Sequence, residues 1–302
     1  MGRRGAGAGA APPIRRVLAP NPGPMTLEGT NTWVVGTPPA VVIDPGPDDE
    51  AHLAAVRAEA GTVGVILVTH LHPDHAPGAE TLSRSTGAPV HAWRPPEGWS
   101  PIRAGQEFEG GGVVLVALHT PGHTPDHVAL FAPVSRALFT GDAVLGRGTS
   151  VIDPPEGDLA AYVRSLEAMA ALDPATIYPG HGPAVWDAAG KLREYRRHRE
   201  EREQQVLVAL AEGPRSPAEI VPVVYEGYPA EVLDLAARTV LAHLLKLERE
   251  GRVARVGAAR DERFELAASV PCRRCGRPAM PRSALCRACS VEALQEPPPV
   301  TS

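Results

Sequence analysis

Thr69-His70-Leu71-His72-Pro73-Asp74-His75 places four metal-ligating side chains within six residues. It follows directly on the apolar run Val63–Val68, which has the composition of a buried strand. A strand that empties into imidazoles and a carboxylate suits zinc, which takes His nitrogen and Asp oxygen. The bland alternative is a polar loop whose histidines cap a helix. It leaves unexplained why the same grammar recurs downstream. His123 stands in Thr120-Pro121-Gly122-His123-Thr124-Pro125-Asp126-His127, after the apolar run Val113–Leu118. Asp142 closes Phe139-Thr140-Gly141-Asp142, and His181 stands in Tyr178-Pro179-Gly180-His181-Gly182 after the run Thr176–Tyr178. Each is a strand, then a tight turn containing Gly, then a ligand; Gly permits the backbone angles such turns need.

On these residues the chain resembles the metallo-β-lactamase-fold superfamily. The matching positions are His70, His72, Asp74, His75, His123, Asp142 and His181. The resemblance implies an α/β fold, the αββα sandwich. It implies one zinc held by His70, His72 and His123, and a second held by Asp74, His75 and His181. Asp142 would bridge the two beside a water or hydroxide that attacks the substrate, and Asp74 would help to orient that hydroxide. Asp74 and Asp142 are thus the expected catalytic carboxylates. The set is similar to the glyoxalase-II type. It is unlike lactamases with Cys at the second metal, because all four cysteines lie beyond residue 270. The opening motif Asn21–Thr32 and the segment Leu145-Gly146-Arg147-Gly148-Thr149 resemble the branch named after β-lactamase-like protein 2. That branch includes a single-stranded-RNA endonuclease and thioesterases, so it implies hydrolysis more than a substrate. His127 falls outside the ligand set and reads as a supporting residue. Tyr178 and the Gly146–Thr149 loop are candidates for the pocket lining.

The chain has 302 residues, 43% of them apolar, enough for one large domain and a small one. No apolar run reaches the roughly 20 residues that span a bilayer, and Met1–Ala11 lacks the apolar core of a secretory signal. A cytoplasmic protein that engages no membrane is the expectation. Net charge is −5, which disfavours a generally basic nucleic-acid binder. Its distribution is uneven. Residues 1–186 hold 11 Lys/Arg and 18 Asp/Glu, and residues 187–302 hold 19 and 17. Nucleic acid would therefore meet the C-terminal third.

The catalytic domain is expected over residues 14–190. Within it Asp48–Ala60 reads as a helix, Asp74–Ser85 as a helix starting inside the metal motif, and Leu159–Leu172 as an amphipathic helix. Arg193–Arg202 carries dense charge of both signs and reads as an exposed helix or connector. Beyond it Val206–Leu210, Pro217–Val224 and Ala230–Glu250 read as three helices, with Gly251 as a C-cap. Arg252–Val256 and Arg263–Leu266 then suggest a two-stranded wing. Residues 200–268 thus form a winged-helix-like domain, for nucleic-acid contact or for packing and dimerisation. Cys272-Arg273-Arg274-Cys275 and Cys286-Arg287-Ala288-Cys289, ten residues apart, have the spacing of a zinc knuckle over 270–292; a disulfide pair is the alternative. Residues 1–13 and 295–302 are expected to be disordered.

The expectation is a hydrolase with two catalytic zinc ions and one structural zinc, acting on single-stranded RNA, with a small acyl-thioester as the alternative substrate, and compatible with a homodimer. A non-enzymatic nucleic-acid-binding regulator and a mononuclear iron dioxygenase are the competing readings. An intact dinuclear ligand set argues against both.

Overall fold

The computed structural model describes residues 12–227, 233–257 and 262–267. The chain divides into two compact units, Met1–Arg199 and Glu200–Ser302.

The first unit holds two sheets. One is built from β1 (Ile14–Leu18), β2 (Asn31–Val35), β3 (Ala40–Ile43), β4 (Val63–Leu67), β5 (Val90–Ala92) and β6 (Ser100–Pro101), in that spatial order. The other is built from β7 (Glu107–Gly110), β8 (Val113–His119), β9 (Val128–Ala132), β10 (Ala137–Gly141) and β11 (Thr176–Pro179), with order β11-β10-β9-β8-β7. Helices α1 (Glu50–Ala60) and α2 (Gly78–Thr86) follow β3 and β4, and α3 (Leu159–Ala171) precedes β11.

The continuous apolar runs in the sequence are strands buried on both faces, and the period of two in a strand sorts their side chains. Trp33, Val35, Val41, Ile43, Val65 and Leu67 point into one core, where they meet Phe108, Leu115, Leu130 and Phe139 of the second sheet. Val34, Val42 and Ile66 point the other way, into a core with Leu53 and Val56 of α1 and Ala79 and Leu82 of α2. On α3, Leu159, Tyr162, Leu166 and Met169 are buried, the face expected from their spacing. Asp49 and Asp158 cap α1 and α3, each accepting a hydrogen bond from a first-turn backbone N–H, as N-cap carboxylates do. Together the layers form the α/β sandwich implied by the resemblance.

Two elements depart from expectation. Helix α2 begins at Gly78, after the metal motif rather than inside it. The backbone N–H groups of His75 and Ala76 both donate to His72 O, at 3.0 and 3.1 Å, closing a turn. Successive helical residues point about 100° apart at 3.6 residues per turn, so a helix there would turn Asp74 and His75 away from a common point. Gly78 permits the close packing that follows: a Cβ there would lie 3.0 Å from Gly46 O.

The second departure is α4, one helix over Ala188–Leu210 that absorbs both the charged stretch and the expected separate helix at Val206–Leu210. Nor is its charged stretch wholly exposed: Leu192, Tyr195 and Arg199 are buried. Dense charge around Tyr195 masked a buried face.

In the second unit α5 (Pro217–Val224) starts with a capping box between Ser216 and Glu219. Helix α6 (Leu233–Arg249) is followed by Gly251, with φ 71°. Strands β12 (Val253–Val256) and β13 (Arg263–Leu266) pair antiparallel as the expected wing. Val206, Leu210, Ile220, Val224, Val240, Leu244, Leu247 and Phe264 form the core of this unit. The zinc knuckle expected over 270–292 lies outside the described residues. Among the described residues no helix is long and apolar enough to cross a membrane.

Candidate metal centre

The ends of β4, β8, β10 and β11 deliver their polar side chains to one place. His70, His72, His123 and Asp142 form one group of converging ligand atoms, and Asp74, His75, Asp142 and His181 form a second. All seven side chains singled out in the sequence are thereby brought together. In the first group His72 Nδ1 lies 3.0 Å from His70 Nε2 and 3.1 Å from His123 Nε2. In the second, His181 Nε2 lies 3.2 Å from His75 Nε2 and 3.0 Å from Asp74 Oδ2. Asp142 belongs to both. Its Oδ2 is 3.8 Å from His123 Nε2, and its Oδ1 is 3.4 Å from His75 Nε2 and 3.3 Å from His181 Nε2.

For His70, His75, His123 and His181, hydrogen bonds on the far side of the ring decide which nitrogen is free to ligate. Asp44 accepts from Thr69 N at 2.7 Å and from Thr69 Oγ1 at 2.8 Å. The Thr69 hydroxyl proton is thus committed, and its oxygen can accept from His70 Nδ1 at 3.0 Å. His75 Nδ1 lies 3.0 Å from Asp44 Oδ2, His123 Nδ1 2.8 Å from Val151 O, and His181 Nδ1 3.1 Å from Gly29 O. Each of these Nδ1 atoms donates to its oxygen, so the neutral ring turns an Nε2 lone pair inward. Lone pairs about 3 Å apart repel unless a cation or a proton lies among them. Asp142 Oδ1, buried without a hydrogen-bond partner, points to the same conclusion. The donor set of imidazoles and carboxylates therefore fits divalent transition metals.

His127 is different. Its Nε2 accepts from Asp142 N at 3.2 Å and its Nδ1 faces Thr120 Oγ1 at 2.8 Å. Both nitrogens are used, so it orients the Asp142 backbone and is no ligand. Tyr178 is half-buried and packs on Trp33 and Phe139, with ring centroids 5.0 and 5.1 Å away. Gly180 is required at the centre: a Cβ there would sit 2.5 Å from Asp142 Oδ1 and 2.7 Å from His75 Cε1.

The opening motif has a structural reason. Asn31 Nδ2 donates to Pro179 O at 2.9 Å and Gly182 O at 2.8 Å, bracketing the turn that carries His181. Asp44 is a supporting residue that the sequence analysis did not single out. Its φ of 51° is the left-handed conformation that Asp tolerates. The signal was present, since β3 ends in a polar residue and a Gly-containing turn just as the ligand-bearing strands do.

Burial holds His70 well below the ordinary imidazole range, and the nearby His75 charge adds to it. Burial acts on His75 in the same direction, but the Asp142 and Asp44 carboxylates outweigh it and raise His75 well above that range. Burial of His181 is likewise outweighed, by the Asp142 and Asp74 carboxylates that face its Nε2, and its pKa rises to about 9. Burial would raise Asp142, yet the charge of His75 and the adjacent His181 ring hold it well below the carboxylate range. In the metal-free protein below pH 9, His181 thus carries a proton that a metal must displace, and the raised His75 acts in the same direction. Zinc affinity should weaken as pH falls from about 9 to about 6, by roughly tenfold per pH unit for each proton released. Chelator competition across that range checks this; a flat profile would show that neither ring titrates against the metal.

Comparison with known proteins agrees with this geometry. The model of the metallo-beta-lactamase superfamily matches residues 25–92 and 91–181, and that of the beta-lactamase associated winged helix domain matches residues 216–262. The chain is 37% identical over 276 residues to the beta-lactamase-like protein 2 homolog of Drosophila melanogaster, covering 83% of this chain and 92% of that one. A metallo-beta-lactamase family protein of Thermus thermophilus, TTHA1429, superposes with a TM-score of 0.71 at 24% identity, over 84% of this chain and 98% of its own. TTHA1623, solved in a di-iron-bound form, superposes with a TM-score of 0.50 at 29% identity, over 60% of this chain and 98% of its own. With its strand-end ligands gathered around one shared carboxylate, the chain belongs to the metallo-beta-lactamase superfamily of metal-dependent hydrolases.

Proposed function

We propose that this chain is a two-metal hydrolase that takes zinc and cleaves single-stranded RNA. The observation that carries the two-metal reading is the Asp142 carboxylate, whose Oδ2 faces His123 and whose Oδ1 faces His75 and His181. His70, His72 and His123 would hold one ion, Asp74, His75 and His181 the other, and Asp142 both. Two ions so held supply Lewis-acid polarisation of the scissile bond and a water activated near neutral pH. Asp74, with a quarter of its side chain exposed, would accept a hydrogen bond from the attacking water. Asp44, Thr69 and His127 keep the ligands in one orientation, so little is reorganised as the substrate reacts. A third, structural zinc at Cys272, Cys275, Cys286 and Cys289 completes the proposed metal content.

RNA is favoured by the winged-helix match and by the excess of Lys/Arg beyond residue 187. The acidic balance of residues 1–186 favours a second substrate, a small acyl-thioester, because an acidic domain repels a polyanion. For the metal, the di-iron form of TTHA1623 makes iron the second reading. The test is full-length, metal-quantified protein assayed against single-stranded RNA and a panel of acyl-thioesters. RNA cleavage that declines steeply with salt, as phosphate contacts require, supports the proposal. Thioester hydrolysis without RNA cleavage replaces it.

A further inference from the structure

The segment that follows Asp142 is secured at both ends by one helix that supplies no ligand. Most backbone polar groups around Asp142 have named partners. Asp142 N–H donates to His127, Ala143 N–H to Thr140 O, and Leu145 N–H to Tyr195 Oη, at 3.2, 2.9 and 2.8 Å. Asp142 O accepts from Ser150 Oγ at 2.6 Å, Ala143 O from Tyr162 Oη at 2.6 Å, and Val144 O from Thr140 Oγ1 at 2.7 Å. At the far end of the segment, Arg199 Nη2 donates to Ser150 O.

Tyr195 and Arg199 lie four residues apart on α4, hence on one face of the helix. Each of their contacts adjoins a support of the metal centre. Arg199 grips Ser150, whose hydroxyl holds Asp142 O, and the next residue's carbonyl, Val151 O, receives His123 Nδ1 at 2.8 Å. Tyr195 grips Leu145, and the next N–H, on Gly146, donates to His181 O at 2.9 Å. Arg199 also lies over the ring of Tyr162, 5.2 Å from its centroid. An arginine only 3% exposed, its guanidinium set on a carbonyl and an aromatic face, is a costly choice if the helix had only to pack.

We propose that Tyr195 and Arg199 are positioning residues for the metal centre: they clamp the 142–151 segment and so hold Asp142, His123 and His181 in ligating register. Removing a group that orients ligands lowers metal affinity or activity about 10- to 100-fold. Packing alone predicts a loss of stability and no change in affinity.

The inference rests on the two-metal reading, and its test uses zinc as the probe. The full-length protein, Arg199→Met, Arg199→Lys and Tyr195→Phe are titrated by chelator competition. Thermal unfolding of the metal-free proteins is followed in parallel. Arg199→Met and Tyr195→Phe should bind zinc about 10- to 100-fold more weakly, while their metal-free forms still unfold cooperatively, at a moderately lower temperature because a buried Ser150 O or Leu145 N–H loses its partner. Arg199→Lys should recover part of the loss. If Arg199→Met does not fold, Tyr195→Phe decides, since it keeps the ring and loses only the hydroxyl. Folded variants that hold zinc as tightly as the unsubstituted chain overturn the clamp and leave the two-metal reading standing. An unsubstituted chain that binds no zinc beyond the tail cysteines overturns both.

Discussion

Asp142→Ala should leave a folded protein with turnover reduced about a thousandfold or more, a barrier rise of roughly 4 kcal/mol. Asp142 is the one side chain shared by both ligand groups, so its loss would disturb both of the proposed ions at once. The damage should fall on kcat more than on KM, because misplaced metal chemistry harms the transition state more than substrate binding. Asp142→Asn is the stricter test. It keeps the size and shape, but one end becomes an amide nitrogen, which donates where a ligand must accept. Both substitutions also remove the charge that keeps His75 and His181 protonated in the metal-free protein. Their imidazoles should titrate at lower pH, and NMR of the ring protons would show it. Near-normal turnover by Asp142→Ala with its metal content intact would remove this residue from the bridging role.

Stripping the metal should abolish hydrolysis, and about two equivalents per chain should restore it, the number the two-metal scheme requires. The count is best made on a chain with Cys272, Cys275, Cys286 and Cys289 all replaced by Ser, so that the tail contributes nothing. The two groups share a carboxylate, so occupation of one orders a ligand of the other. Activity should therefore depend sigmoidally on free metal concentration, because the half-filled site is sparsely populated. Full activity at one equivalent would defeat the dinuclear assignment and favour the mononuclear alternative. Full activity after complete removal would defeat metal dependence altogether.

The ligands were legible because each is announced locally. His70, His72, Asp74 and His75 crowd one short stretch, and His123, Asp142 and His181 each follow a strand and a Gly-containing turn. The sandwich was legible for a related reason. Runs such as Val63–Val68 are apolar on both faces, and only a sheet covered on both sides accommodates them. The wing was announced in the same way, by two short runs around a break. Local pattern failed where the deciding interaction is distant in sequence. The start of α2 depends on a turn that aims Asp74 and His75 and on Gly78 packing against Gly46. Asp44 reads as a turn residue until β3 and β4 lie side by side and bring Thr69 and His75 to it. His127 is one more imidazole until Asp142 N–H occupies its Nε2. Tyr195 and Arg199 sit in a stretch whose charge density signals solvent, and their partners lie 50 and 49 residues away. Sequence by itself determined which residues could ligate a metal and which strands would carry them, because ligand chemistry and strand periodicity are properties of neighbouring residues. Tertiary structure alone decided which side chains hold those ligands in place, because a hydrogen bond between distant segments leaves no periodic trace in either.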